Sequence, residues 1–167
     1  LDYGVEWIGI DFSMFWQGVA KRDLWLDGPM FWGISGGEWQ STGLKEHLDY
    51  YRPENTTSVF GPNTNAYFPK MYMSKDMNQK VQTRYLQNGA YARLKNIQLG
   101  YTFPTQIINK LHMQKLRVYV SAENVLTITS LPSGFDPETT YSNYSDGNSG
   151  KTYPLQTTIS FGLNATF

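Results

Sequence analysis

Cysteine does not occur in these 167 residues, so disulfides and thiolate metal sites are both excluded. No run approaches the roughly 20 consecutive apolar residues of a membrane helix. Net charge is missing too. Fourteen Lys and Arg balance fourteen Asp and Glu, so no overall field draws nucleic acid or anionic lipid. Charged residues make up 17% of the chain, against a usual share of about 25%. Aromatics, at 16%, are plentiful instead. Few charges and many rings suit a surface bathed partly in hydrocarbon.

The strongest pattern is at the C-terminus. Leu155, Thr157, Ile159, Phe161, Leu163, Ala165 and Phe167 fall on one face of an extended chain. Gln156, Thr158, Ser160, Gly162, Asn164 and Thr166 fall on the other. A long strand ending on an aromatic is the form of a closing strand in an outer-membrane barrel, with lipid on one face and a polar lumen on the other. The mean hydropathy of −0.46 does not oppose this, because such strands are apolar on alternate residues only.

Three further runs alternate in the same way, giving expected strands at about 3–17, 90–103, 115–126 and 155–167. In the first, Ile8, Ile10, Phe12, Met14 and Trp16 oppose Gly9, Asp11, Ser13, Phe15 and Gln17. In the second, Tyr91 to Lys95 alternates out of phase with Asn96 to Phe103, which predicts a bulge or a stretch clear of the membrane. In the third, Leu116, Val118, Val120 and Ala122 oppose Arg117, Tyr119, Ser121 and Glu123. Each run is long enough for a tilted crossing, which needs about 9 to 11 residues.

The connections at about 18–89, 104–114 and 127–154 run long, short, long. Outer-membrane barrels alternate long extracellular loops with short periplasmic turns. With Phe167 on the periplasmic side, 18–89 and 127–154 become extracellular and 104–114 periplasmic. Four strands cannot close, and they would leave two unpaired edges and an apolar face in water. Leu1-Asp2-Tyr3 also shows no initiator Met, basic n-region or apolar h-region. The expectation is a fragment, or one part of a barrel completed by other polypeptide.

Four blocks then resemble the C-terminal end of SusC-like (RagA-type) TonB-dependent outer-membrane transporters. They are Gly9 to Gly18 with Lys21-Arg22-Asp23, Leu86 to Tyr101, Leu116 to Leu126, and Tyr153 to Phe167. Gly134-Phe135-Asp136-Pro137-Glu138 resembles the family's loop before its last strand. The resemblance implies an all-β fold, the last four antiparallel strands of a 22-stranded transmembrane barrel. It implies TonB-energised import of glycans or peptides across the outer membrane of a Gram-negative bacterium. The implied partners are the rest of the transporter with its plug, TonB through the N-terminal part, and a SusD-like surface lipoprotein as lid. Substrate and lipid complete the set, with no cofactor and no nucleic acid.

Candidate residues follow. Trp25, Phe31, Trp32, Trp39, Tyr50 and Tyr51 crowd one expected loop, where aromatic faces suit a protein lid, sugar rings or the loop's own core. Asp11, Arg93, Lys95, Arg117 and Glu123 lie on or near the expected lumen face, where ion pairing is the plainer role. Trp16, Tyr101, Phe103 and Phe167 fit an interfacial girdle, with Phe167 also an assembly signal. Gly33-Ile34-Ser35-Gly36-Gly37 matches a nucleophile-elbow pattern, but its Gly-rich setting reads as a flexible loop and the chain as no enzyme. His47 and His112 stand too far apart for a metal cluster. Residues 145–150 read as a plain turn. A secreted β-sandwich module that binds carbohydrate, or a passive structural barrel, would share some of these features.

Overall fold

The alternating pattern folds as one antiparallel sheet, and the computed structural model describes residues 1–36, 43–72, 77–140 and 150–167. The sheet holds β1 (Asp2–Trp7), β2 (Ile10–Val19), β5 (Tyr91–Thr102), β6 (Lys115–Thr129) and β7 (Thr158–Thr166), side by side in that order. A separate two-stranded ladder pairs β3 (Asp23–Leu24) with β4 (Gln87–Asn88). Two compact units result. Leu1–Arg22, Gly89–Ser130 and Leu155–Phe167 form the sheet unit, and Asp23–Asn88 with Leu131–Pro154 form the loop unit. No helix is long and apolar enough to cross a membrane among the described residues.

The sheet has five strands because the run expected at 3–17 folds back on itself. Ile8 (φ 46°) and Gly9 (φ 79°) are both left-handed, the requirement of a two-residue type I′ hairpin. Trp7 pairs with Ile10 and Asp2 with Phe15. Ile8 therefore sits in the turn and not on the face of Ile10. Gly9 is constrained further, since a Cβ there would come 2.6 Å from the Thr102 carbonyl oxygen.

The out-of-phase stretch of the second run proves to be a register break. Phe15 pairs with Asn96 but Trp16 with Leu94, so Lys95 is an extra residue and the phase of β5 flips there. β6 compensates with its own irregularity, pairing Glu123 with Asn96 and Leu126 with Leu94. Asn124, left-handed at φ 51°, lies in that step. It also ends the pairing with β7, which begins at Thr158 and not at Leu155. Beyond that point side chains take over, as Asn124 Nδ2 donates to the Gln156 oxygen (3.1 Å) and Thr157 Oγ1 to the Asn124 oxygen (2.9 Å).

At the other end of the sheet, Pro104 leads into the single turn α2 (Thr105–Ile108), whose Ile108 is fully buried. His112 takes the left-handed φ of 58° that redirects the chain into β6. In the loop unit, α1 (Pro29–Trp32) is also a single turn, entered through Pro29 at its first position.

Candidate functional site

Register fixes which side chains share a face, since partners in an antiparallel pair project together. Three rungs run across all five strands. They read Trp7, Ile10, Tyr101, Val118 and Leu163; then Val5, Phe12, Leu99, Val120 and Phe161; then Tyr3, Met14, Ile97, Ala122 and Ile159. All fifteen are apolar or aromatic. Phe161 is 84% exposed, and Trp7, Ile159 and Leu163 are well exposed too. No second sheet covers this face among the described residues.

Aromatics mark the limits of that face. Trp16 stands at one end beside Leu94. Tyr101 and Phe103 stand at the other, with ring centroids 5.0 Å apart and edge to face. Phe167, 75% exposed, directly follows β7 near the same level. From Leu94 to Phe103 the strand advances roughly 30 Å at about 3.3 Å per residue, or about 23 Å in height at a tilt near 40°. An outer-membrane apolar band is about 25 Å tall.

The opposite face is polar and carries charge. Arg117 grips Asp11 with two parallel bonds, Nε to Oδ1 at 2.9 Å and Nη2 to Oδ2 at 2.5 Å. Asp11 is on β2 and Arg117 on β6, so the pair reaches across β5. Gly100 makes this reach fit, because a Cβ there would lie 2.5 Å from Asp11 Oδ1 and 2.6 Å from Arg117 Nη2. The guanidinium also lies 4.8 Å from the ring centre of Tyr119, whose ring occupies the space that a side chain at Gly162 would need. Bidentate geometry of this kind is the strong form of an Arg–carboxylate contact.

The other expected lumen charges do not join that pair. Arg93, 2% exposed, shares a rung with Gln17 and Thr127, and its Nε donates to Thr127 Oγ1 at 2.8 Å. Glu123 shares a rung with Asn96 and Thr158. Lys95 is the extra residue of the register break, so strand register assigns it to neither face. Tyr119 and the two glycines were invisible as a set, since only the register brings them to Asp11 and Arg117.

In the loop unit the aromatics divide. Of the three roles open to them, lid contact, sugar contact and the loop's own core, Phe31 and Trp32 take the core, at 2% and 1% exposure. They pack edge to face on each other and with Phe68, Tyr85 and Phe135, alongside Leu24, Leu26 and Leu131. Burial of large rings outweighs display, since each hides some 150–250 Å². Trp25 and Tyr50 pack partly buried on that core, Tyr51 is exposed, and Trp39 lies outside the described residues. Phe135 of the Gly-Phe-Asp-Pro-Glu motif is a core ring as well. Asp136 Oδ1 accepts from the Glu138 and Thr139 N–H groups and holds the turn that follows.

The elbow pattern does not sit on a strand. Gly33–Gly36 is a 3₁₀ turn directly after α1, and Gly37 lies outside the described residues. His47 is buried and fully engaged, with Nδ1 accepting from the Leu44 N–H (2.9 Å) and Nε2 facing the Phe31 oxygen (3.1 Å). Burial pushes its pKa below the usual histidine value, partly opposed by the Phe31 and Met30 carbonyls. Gly33 leaves room for this ring, as a Cβ there would come 2.9 Å from Nδ1. His112 is exposed in the turn before β6. Most of residues 145–150 lie outside the described residues.

No family model matches the chain. Curated relatives do. TonB-dependent receptor P3 of Formosa agariphila is 36% identical over 112 residues, or 63% of this chain. Receptor P26 of the same organism is 26% identical over 164 residues, or 95% of the chain. The chain spans only 11% and 16% of the lengths of these two receptors. Among solved structures, the RagAB peptide transporter superposes with a TM-score of 0.69 at 23% identity, covering 99% of this chain and 17% of that one. The RagAB peptide importer in its open-open state gives 0.65 at 22%, covering 99% and 16%. At that identity the likeness is one of fold, and the shared fold is antiparallel barrel wall, left unclosed in this chain.

Proposed function

We propose that this chain, which belongs with the TonB-dependent receptors as a segment of barrel wall with its loops, serves a SusC-like importer in the outer membrane of a Gram-negative bacterium. The cargo is a glycan or a peptide. The observation that carries this reading is the pair of faces: three continuous apolar rungs on one side, and the Asp11–Arg117 pair on the other. Lipid meets the first, and the lumen with its plug meets the second. Connection lengths favour the same orientation. The tight Ile8–Gly9 turn and the segment from Pro104 to Gln114 lie at one end of the sheet, and both long loops leave from the other. The short end is periplasmic and the loop unit extracellular. TonB drives uptake, and a SusD-like lipoprotein covers the loops.

The peptide importer among the structural neighbours favours a peptide cargo, and the SusC resemblance a glycan. Two measurements test the proposal. In the full receptor, Val120→Arg on the middle apolar rung should cost roughly 2–4 kcal/mol of folding stability in lipid. Ser121→Arg, one residue away on the lumen face, should cost less, and equal costs would place lipid on neither face. Uptake should also vanish in cells lacking TonB. Uptake that persists there would make the barrel a passive pore.

A further inference from the structure

We infer that the loop unit carries an acceptor cleft for carboxylate-bearing oligosaccharides, a reading that rests on the importer role and names its cargo class. The cleft encloses about 610 Å³ between the segments around Tyr50 and Lys70. Charge is balanced over residues 43–72, where Lys45, Arg52 and Lys70 face Glu46, Asp49 and Glu54. The cleft wall is not balanced. Arg52 and Lys70 line it, and none of its described lining residues is acidic.

Arg52 is held ready for a ligand. Its Nε donates to the Gly61 oxygen (2.6 Å), its Nη1 to the Leu48 oxygen (2.7 Å), and the guanidinium lies 4.6 Å from the ring centre of Tyr50. Its Nη2 donates to nothing, and no carboxylate pairs with the group, among the described residues. A cation fixed by neutral carbonyls keeps its full charge for an incoming anion. Lys70 adds a second cation, lying over the ring of Tyr72.

Neighbouring groups choose a sugar over other anions. Tyr51 is exposed on the cleft and offers an aromatic face to a pyranose ring. Asn55, Thr56 and Thr57 line the cleft with neutral donors and acceptors suited to ring hydroxyls. An acidic peptide would use the cations but leave that polar wall without matching hydroxyls.

The test is equilibrium binding by the purified full-length receptor to trigalacturonate, its fully methyl-esterified form and triglutamate. Trigalacturonate should bind roughly tenfold tighter than its ester, as expected for one charge-assisted hydrogen bond. Lys70→Gln should erase most of that preference, Lys70→Arg should restore it, and Tyr51→Ala should weaken acid and ester alike. Equal binding of acid and ester, or a preference untouched by Lys70→Gln, would overturn the inference. Triglutamate binding as tightly as trigalacturonate would replace the sugar with a peptide. Charge-selective binding without TonB-dependent uptake would remove the importer reading and leave the cleft standing. Uptake without charge selectivity would do the reverse.

Discussion

Glycine does work on this sheet that no other residue can. The Asp11–Arg117 pair is partly shielded, with side chains 28% and 17% exposed, and it exists because Gly100 presents nothing between them. Gly100→Ala should therefore destabilise the folded receptor by about 1–3 kcal/mol, the usual cost of overpacking. In an Asp11→Ala background the same change should cost close to nothing, because the arginine head can then swing aside. A double-mutant cycle in lipid measures this coupling, and additive costs would mean that the clash lies elsewhere. His47 supplies a pH test in the loop unit. Its neutral ring uses Nδ1 as acceptor, so protonation breaks the Leu44 bond and charges a buried group. Its pKa is lowered on folding, so the unfolded chain binds the proton first. The stability contribution is complete above the ordinary histidine value of about 6.5 and is lost as pH falls below it. The protection of loop-unit amides, referenced to their intrinsic exchange rates, should fall as pH drops below about 6.5, and His47→Gln should remove that dependence.

Between residue and fold, the hairpin at Ile8–Gly9 shows what alternation hides. A β-branched residue at φ 46° costs roughly 1–2 kcal/mol, and the turn tolerates it because pairing on both sides demands that geometry. Ile8→Asn, a residue at ease in that region, should raise stability by up to about 1 kcal/mol. A lowered denaturation midpoint would mean that Ile8 makes contacts worth more than its strain. The same turn explains the limit of sequence reading. Apolar residues at 8, 10, 12, 14 and 16 continue through the reversal, and no Asn-Gly or Asp-Gly pair announces it. The phase flip near Lys95 was legible, because a period-2 pattern cannot change phase without an extra residue. By the same rule the alternation set Asp11, Arg117 and Glu123 on the face opposite Ile10, Val118 and Ala122. Which rings make the loop core was not, since Phe31, Trp32, Phe68, Tyr85 and Phe135 come together from four separate stretches with no period to connect them. Arg52 and Lys70 likewise come to one cleft only through the fold.

The whole chain poses a problem of exposed surface. Five strands at about 4.8 Å spacing and some 30 Å of strand length make an apolar face of roughly 700 Å². The largest apolar patch on a typical soluble monomer is about 300–600 Å². In addition β1 and β7 each pair on one side only, among the described residues, which offers two ladders of unused backbone groups to any passing strand. Water satisfies those edges but not the face, while lipid satisfies the face but not the edges. Only further barrel strands in a membrane satisfy both. The isolated 167-residue chain should thus aggregate from water and disperse in detergent. There the loop unit should keep its near-ultraviolet aromatic signal, because its rings pack on one another. Light scattering and circular dichroism with and without detergent decide the matter. A water-soluble monomer that melts in one cooperative step would show that the apolar rungs find cover within the chain itself, and the assignment of that face to lipid would fail.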